Sequence, residues 1–329
     1  MIFTLNFLLR RVVQGFVIIG LVTLLIFTLL RVVPGDPVRT MLGPMVAPSV
    51  MEQVAKDLGL RDPIPVQFGR YVLQVLQGNL GHSFIRNAQG GSTGGSRGEA
   101  TFNLENRAPV SVLIANTLPY SILLAGLSVL FTVLISFPTG FLAGLCSGRW
   151  PDRLSLYASS VLVSLPNVWL GIVFILVFSA WGGWLPAIGY KGPSYAILPA
   201  LVLAIELSPV MIRSIAVSVA NSLHENYVAV GEVRGVRRHR MITHHVLRNA
   251  AIPLLNLFGI QIVGMLLGSL FVVEYIFNYP GIGLLMINAV FQRDFPIIQA
   301  IAMLSSAVLV CVNIIVDLAA TNIDRRLQY

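Results

Sequence analysis

Apolar residues run without interruption from 12 to 30, flanked by Arg10 and Arg11 on one side and Arg31 on the other. The run is longer than the core of a secretory signal and lacks a small-residue cleavage site, so it is read as a first membrane-spanning helix. Five further runs of spanning length follow, at 118–145, 154–181, 197–219, 250–273 and 297–320. Between the first two lies a long, nearly charge-balanced interval, 33–108, with turn signals at Pro34-Gly35-Asp36-Pro37 and an amphipathic helix expected over 49–58. That interval is expected to form a small folded cap. Residues 90–98, GGSTGGSRG, have the composition of a flexible insertion, and no lysine follows them to make a phosphate-cradling loop.

Charge sets the orientation. If the spans alternate, Arg10 and Arg11, Arg149 and Arg153, the basic stretch 225–253, and Arg325 and Arg326 all fall on one side, which the positive-inside rule makes cytoplasmic. The expected fold is therefore an all-α membrane protein with six transmembrane helices and both termini cytoplasmic. An extracytoplasmic domain follows helix one, and a cytoplasmic loop at 220–253 joins helices four and five. The expected divisions are 1–33, the first helix; 34–108, the outer domain; and 109–329, a five-helix core. Composition agrees: 56% hydrophobic, 11% charged and a mean hydropathy of +0.80 exclude a soluble domain. The net charge of +8 is explained by membrane topology better than by nucleic acid. Cys146 and Cys311, at the end of one apolar run and inside another, do not suggest a disulfide framework.

The stretch 225–253 is the polar, helix-patterned interval that stands out between apolar runs. It carries five arginines against two glutamates, with Gly235 as a break between two short helical patterns. Charge alone allows two readings: a loop that only sets topology, or a structured handle through which a soluble partner works the spans. Gly235 itself has two candidate jobs, a positive φ or close approach of a partner surface.

Other positions bear on function. Glu206 and Arg213 lie seven residues apart in the fourth run, nearly on one helical face. Charge at that depth is costly, so both should face protein or water. Arg213 fits snorkelling with a structural pair, and Glu206 fits either a helix-helix tie or a pathway group meeting a substrate ammonium. Gly140/Gly144 and Gly264/Gly268 permit close helix approach, within this chain or against a second one, the former being favoured. Pro138 and Pro166 fall inside spans. His224, His239, His244 and His245 sit among arginines without metal-ligand spacing, so no metal is expected. Residues 274–296, apolar but broken by Pro280, Gly281 and Gly283, predict a turn and a short interfacial or re-entrant helix, with Glu274 and Asp317 at the interface.

Several of these stretches resemble the permease subunits of bacterial ATP-binding-cassette importers, of the dipeptide, oligopeptide and nickel branch. The resemblance rests on Tyr227, Val228, Gly231, Arg234 and Gly235, then Leu247-Arg248-Asn249-Ala250 and Ile252-Pro253. It extends to the PGDP turn, to LGLRDPIPVQFGRY, to GNLGHSF at 78–84 and to the 274–296 element. Val233 stands where alanine is common, Ala216 replaces a frequent arginine, and the 90–98 insertion has no counterpart. The resemblance implies a translocation subunit for di- or oligopeptides, with nickel chelates or glutathione as alternative cargo, in the bacterial inner membrane. Its implied partners are a second permease, two ATPase subunits that bind ATP and Mg, and an external binding protein. Glu225, Tyr227, Gly231, Arg234, Gly235, Arg237 and Arg238 would couple to the ATPases; Glu274, Pro280, Gly281, Arg293 and Asp294 would form an outer gate or binding-protein contact. No cofactor is expected in this chain, because neither Lys56 nor Lys191, the two lysines present, lies in a Walker-type loop. An ion-coupled secondary transporter using Glu206 or Asp317 is the competing class; a hydrolase would need a nucleophile-base or metal constellation that the sequence does not offer.

Overall fold

The computed structural model describes residues 2–32, 38–39, 46–57, 59–87 and 107–323. The PGDP turn, the 90–98 insertion and Arg325/Arg326 lie outside these residues. The described chain is mainly helical. In order it forms α1 (Ile2–Val32), α2 (Pro48–Asp57), α3 (Ile64–Leu76), β1 (His82–Asn87), β2 (Arg107–Pro109), α4 (Val110–Leu145), α5 (Trp150–Val163) and α6 (Asn167–Phe174). A π-helical stretch, Ile175–Trp181, extends α6, and a 3₁₀ turn at Pro193–Ala196 leads into α7 (Ile197–Leu223). Then come α8 (Asn226–Val233), α9 (Arg238–Met241), α10 (Leu247–Gly264), α11 (Leu270–Ile276), α12 (Ile282–Gln292) and α13 (Phe295–Ile323).

Among the described residues five helical stretches are long and apolar enough to cross a bilayer: Leu9–Val32, Val110–Leu145, Pro193–Leu223, Leu254–Ile276 and Phe295–Leu318. A sixth exists if α5 and α6 with its extension count as one span, for they meet at a bend of 96°. The expectation of one helix over 154–181 is corrected here: the helix stops at Ser164 and restarts after Pro166. Proline has no N–H to give and drives the preceding residue out of the helical region, so the bend falls where the sequence puts it. Pro138 lies within the unbroken α4.

Contacts divide the chain into two units, one centred on residues 121–280 and the other formed from 7–120 and 281–308. In the first, α7 is the hub, packed by α5, α6, α10 and α11. Two-thirds of its most apolar window is buried (67%), against 17–22% for the other long spans, so α7 is the enclosed helix and the rest keep open faces. The α4 glycines permit this. A β-carbon on Gly140 would stand 2.7 Å from the Ile212 carbonyl, and one on Gly144 would stand 2.7 Å from Val219 Cβ. Gly264 and Gly268 have nothing within 4 Å of such an atom. The first pair is thus an internal seam, whereas the second faces open space.

In the second unit, α2 and α3 join a small apolar cluster of Val38, Val54 and Ala55 with a ring cluster at the end of α1. Phe27, fully buried, meets Phe68 edge-on at 5.2 Å and Tyr71 at 5.6 Å. An antiparallel pair, β1 with β2, carries a bulge between the His82–Pro109 and Asn87–Arg107 partners. It adds a strand element to what was expected as an all-α cap, because pairing across a long gap in sequence leaves no local period to read.

Asp294 ties this pair to the start of α13. Its Oδ2 accepts from the Ser83 hydroxyl (2.5 Å) and its Oδ1 from the Phe84 N–H (3.0 Å). Burial pushes its carboxyl above the ordinary value of 3.8, opposed by those two bonds, by the Ile85 N–H and by the charge of Arg86.

Two outcomes follow. Gly140→Val or Gly144→Val should overpack the α4–α7 seam and cost about 1–3 kcal/mol, lowering the thermal midpoint in detergent, whereas Gly264→Ala should not. Because Asp294 binds its proton more tightly folded than unfolded, its contribution is fullest below the unfolded value and fades as pH rises through the folded one. Asp294→Asn should therefore flatten that part of the pH dependence of the midpoint.

Candidate functional site

The stretch 225–253 is built by helix termination. The chain leaves α7 at His224, and Glu225, in extended conformation (φ −73°, ψ 148°), opens α8 without a side-chain cap. The Tyr227 hydroxyl donates back to the Ser222 carbonyl at 3.0 Å, fixing α8 to the end of α7. Helix α8 closes with Gly235 at φ +71°. The Gly235 N–H donates to the Glu232 carbonyl and the Val236 N–H to the Gly231 carbonyl, both at 3.0 Å. These two bonds are a Schellman closure, which requires a left-handed residue at the position Gly235 holds. Of its two candidate jobs, the positive φ is the one seen, since a β-carbon there would meet nothing of this chain within 4 Å.

Close approach belongs instead to Gly231, where a β-carbon would collide with Met241 Cε of α9. Met241 joins Val228, Val246 and Ala250 in a core with Ile215 and Val219 of α7. The inner face of the stretch is therefore seated on the enclosed helix. Its outer face presents Arg234, Arg237, Arg238 and Arg240 around the exposed side chains of Val230 and Val233, the latter 89% exposed. A π-helical turn, Ile242–Val246, makes α9 continuous with α10, so a push on α9 has a helical path into a span. His224, His239, His244 and His245 are exposed, and no group of metal-binding side chains occurs among the described residues.

Glu206 is the tenth residue of α7. Its Oε1 accepts from the Ser269 hydroxyl at 2.5 Å, and its Oε2 from the Asn167 amide at 3.4 Å. All three come from irregular backbone: Asn167 follows the Pro166 break, Ser269 ends the π-turn Met265–Ser269, and Glu206 precedes Pro209, which cannot bond the Ile205 carbonyl. Both donors are neutral, and no salt bridge to Glu206 occurs among the described residues. Arg213 reaches Asp152 at 3.5 Å across a partly exposed gap. The shared face of Glu206 and Arg213 does not make them partners. Sequence reasoning singled out neither Asn167 nor Ser269, although each is a polar residue beside a helix breaker inside an apolar run.

The residues expected at an outer gate or binding-protein contact separate by burial. Glu274, expected at the interface, is fully buried at the end of α11 and accepts from the Ser121 hydroxyl at 2.6 Å. Asp294 is 1% exposed. In this conformation both are internal ties, not surface contacts. Arg293 holds φ 56°, a left-handed closure of α12 made by a residue with a β-carbon. Pro280 and Gly281 precede α12, with Gly281 as its extended N-cap.

An enclosed span, a basic stretch seated on its end and a half-buried carboxylate along its length describe a polytopic membrane protein. The sequence comparisons give the family: residues 136–329 match the binding-protein-dependent transport system inner membrane components, and residues 4–125 match their N-terminal region. The chain belongs to that family and is the permease subunit of an ABC importer. It is 34% identical to the glutathione transport system permease protein GsiC of Salmonella paratyphi A over 99% of both chains. Against GsiC of Escherichia coli K12 the identity is 33%, again over 99% of both. In fold it resembles the inward-facing MetNI methionine ABC transporter, with TM-scores of 0.55 and 0.53 in two crystal forms at 14% identity. Those matches cover 65% of this chain and 97% of the other.

Replacing Gly235 with leucine should strain the closure of α8 by roughly 1–2 kcal/mol, and Gly235→Asn by less. Hydrogen exchange at the Val236 amide, which rests on that closure, should quicken in that order.

Proposed function

We propose that this permease subunit carries short peptides, with glutathione, a γ-linked tripeptide, as the cargo that its relatives favour. Support for glutathione comes from the GsiC proteins, at 33–34% identity along the whole chain. Both cargo types present a free amine, and Glu206 suits one: a half-buried carboxyl group held by two neutral donors has no cationic partner among the described residues. Such a group belongs on α7, the helix that any change in the surrounding spans must move.

In this reading the subunit works beside a second permease, two ATPase subunits carrying ATP and Mg, and an external binding protein. Both termini and the α8–α9 handle are cytoplasmic, and the α2–α3 cap is extracytoplasmic. The observation that carries the coupling role is the two-faced handle, its inner side packed on α7 and its outer side basic with an exposed Val233. ATPase closure would displace α8 and α9, and the continuous α9–α10 path would pass the motion to the spans. The cycle runs only if the ATPases bind one permease state more tightly than the other. Family membership sets aside the ion-coupled secondary transporter.

In proteoliposomes holding the full complex, joint replacement of Arg237, Arg238 and Arg240 by glutamine should weaken ATPase attachment and uptake, and salt should mimic the effect on the parent protein. Normal uptake would leave the stretch as a topology signal. Glu206→Gln should raise the KM for glutathione or a tripeptide about tenfold, the scale of a lost charge-assisted hydrogen bond, and spare an N-acetylated cargo. Transport of a nickel chelate with neither peptide nor glutathione competing would overturn the cargo assignment.

A further inference from the structure

A second polar site lies in the unit that holds the cap. A cavity of about 330 Å³ opens where α1 ends and α13 begins, lined by Arg31, Gln67, Arg70, Tyr71, His82 and Gln299 among others. Arg31 is the penultimate residue of its span, and Gln299 lies at the first turn of its own. Residues at span ends sit where hydrocarbon gives way to lipid headgroups.

The lining is prepared for an anion. Among the described residues no carboxylate lines the cavity, and the Arg70 charge is already matched by Asp62 at 2.8 Å. Among the described residues Arg31 has no such partner. Its Nε donates to Gln67 Oε1 at 2.6 Å and its Nη1 to the Phe27 carbonyl at 3.2 Å, with the guanidinium over the Phe27 ring. Gln67 is held in turn by the Leu60 and Asp62 carbonyls, so the guanidinium is positioned from behind with N–H groups to spare.

Two further groups lack protein partners among the described residues. The Tyr71 hydroxyl and the Gln299 amide nitrogen are both buried without a hydrogen bond, and Gln299 is only 6% exposed. Burial pushes the Tyr71 phenol up to about 12 against the opposing charge of Arg31, so it keeps its proton and remains a donor. A buried donor without an acceptor is unfavourable, and two of them beside one cavity call for a ligand rich in acceptor oxygens. The hydroxyl hydrogen rotates and the amide turns end for end, so a small side-chain shift on binding would bring each donor to the cavity wall.

We propose that this cavity binds the phosphate of an anionic phospholipid headgroup, with Arg31 as the charge partner and Tyr71 and Gln299 as neutral donors. A phospholipid is favoured over a soluble anion because the site stands at the ends of two spans, where headgroups lie.

The test uses the purified membrane complex, stripped of lipid and then offered phosphatidylglycerol, phosphate-free monoolein or inorganic phosphate. Phosphatidylglycerol should raise the thermal midpoint and remain bound in native mass spectrometry, and the other two should do neither. Tyr71→Phe and Gln299→Met each delete a polar atom that has no protein partner, so an unused cavity predicts unchanged or higher stability without lipid. The proposal predicts in addition that each variant holds phosphatidylglycerol about fivefold more weakly and Arg31→Gln more weakly still. Retention equal to the parent protein's in both conservative variants overturns the site. Equal protection by monoolein or by inorganic phosphate overturns the phospholipid assignment. None of these outcomes depends on cargo, so they stand apart from the uptake experiments.

Discussion

Everything in the larger unit depends on the enclosure of α7. A bilayer gives a helix no hydrophobic reason to prefer protein over lipid, so a span is enclosed only where close packing and polar ties reward it. Here the reward is close backbone contact at Gly140 and Gly144, supplemented by the Ser136 hydroxyl donating to the Ser208 carbonyl at 3.3 Å. Once surrounded, α7 can hold a carboxylate at mid-span, because Asn167 and Ser269 arrive from its neighbours to solvate it. The other spans keep the open faces that a subunit of a larger assembly needs.

The same helix joins the candidate handle to the candidate cargo group. Glu206 is the tenth of its 27 residues, and Ile215 and Val219, about two and a half and three and a half turns further on, are the floor on which α8 and α9 rest. Displacing the handle therefore shifts side chains of the helix that bears the candidate cargo group. The break at Pro166 and the π-turn before Leu270 flank the same carboxylate, so the irregular backbone gathers where polar chemistry inside the membrane is required. Irregularity there is tolerated because the freed groups face protein rather than lipid.

Burial recasts the outer element. Glu274 and Asp294 bracket α12 in sequence and both are sealed, one held by Ser121 and the other by Ser83 and the Phe84 amide. A buried carboxylate with dedicated donors fixes a chain direction, and these two fix the ends of α11 and the beginning of α13.

Much was determined by sequence alone: the number of apolar runs, the basic stretch between the fourth and fifth, the glycine that breaks it, and the family wording around it. These are local properties, written in composition, in the period of a helix or in a residue whose backbone freedom is intrinsic. The Pro166 break was also legible as a proline, but whether a proline bends a span or rides within it, as Pro138 does, is decided by neighbouring helices. Only the tertiary structure showed which GxxxG pair was internal, since both read alike and differ only in what stands opposite. It likewise gave Glu206 its partners 39 and 63 positions away, and assembled a cavity from Arg31, Tyr71 and Gln299. Contacts across such separations leave no period in one chain, because they depend on where the helices pack and not on how each one forms.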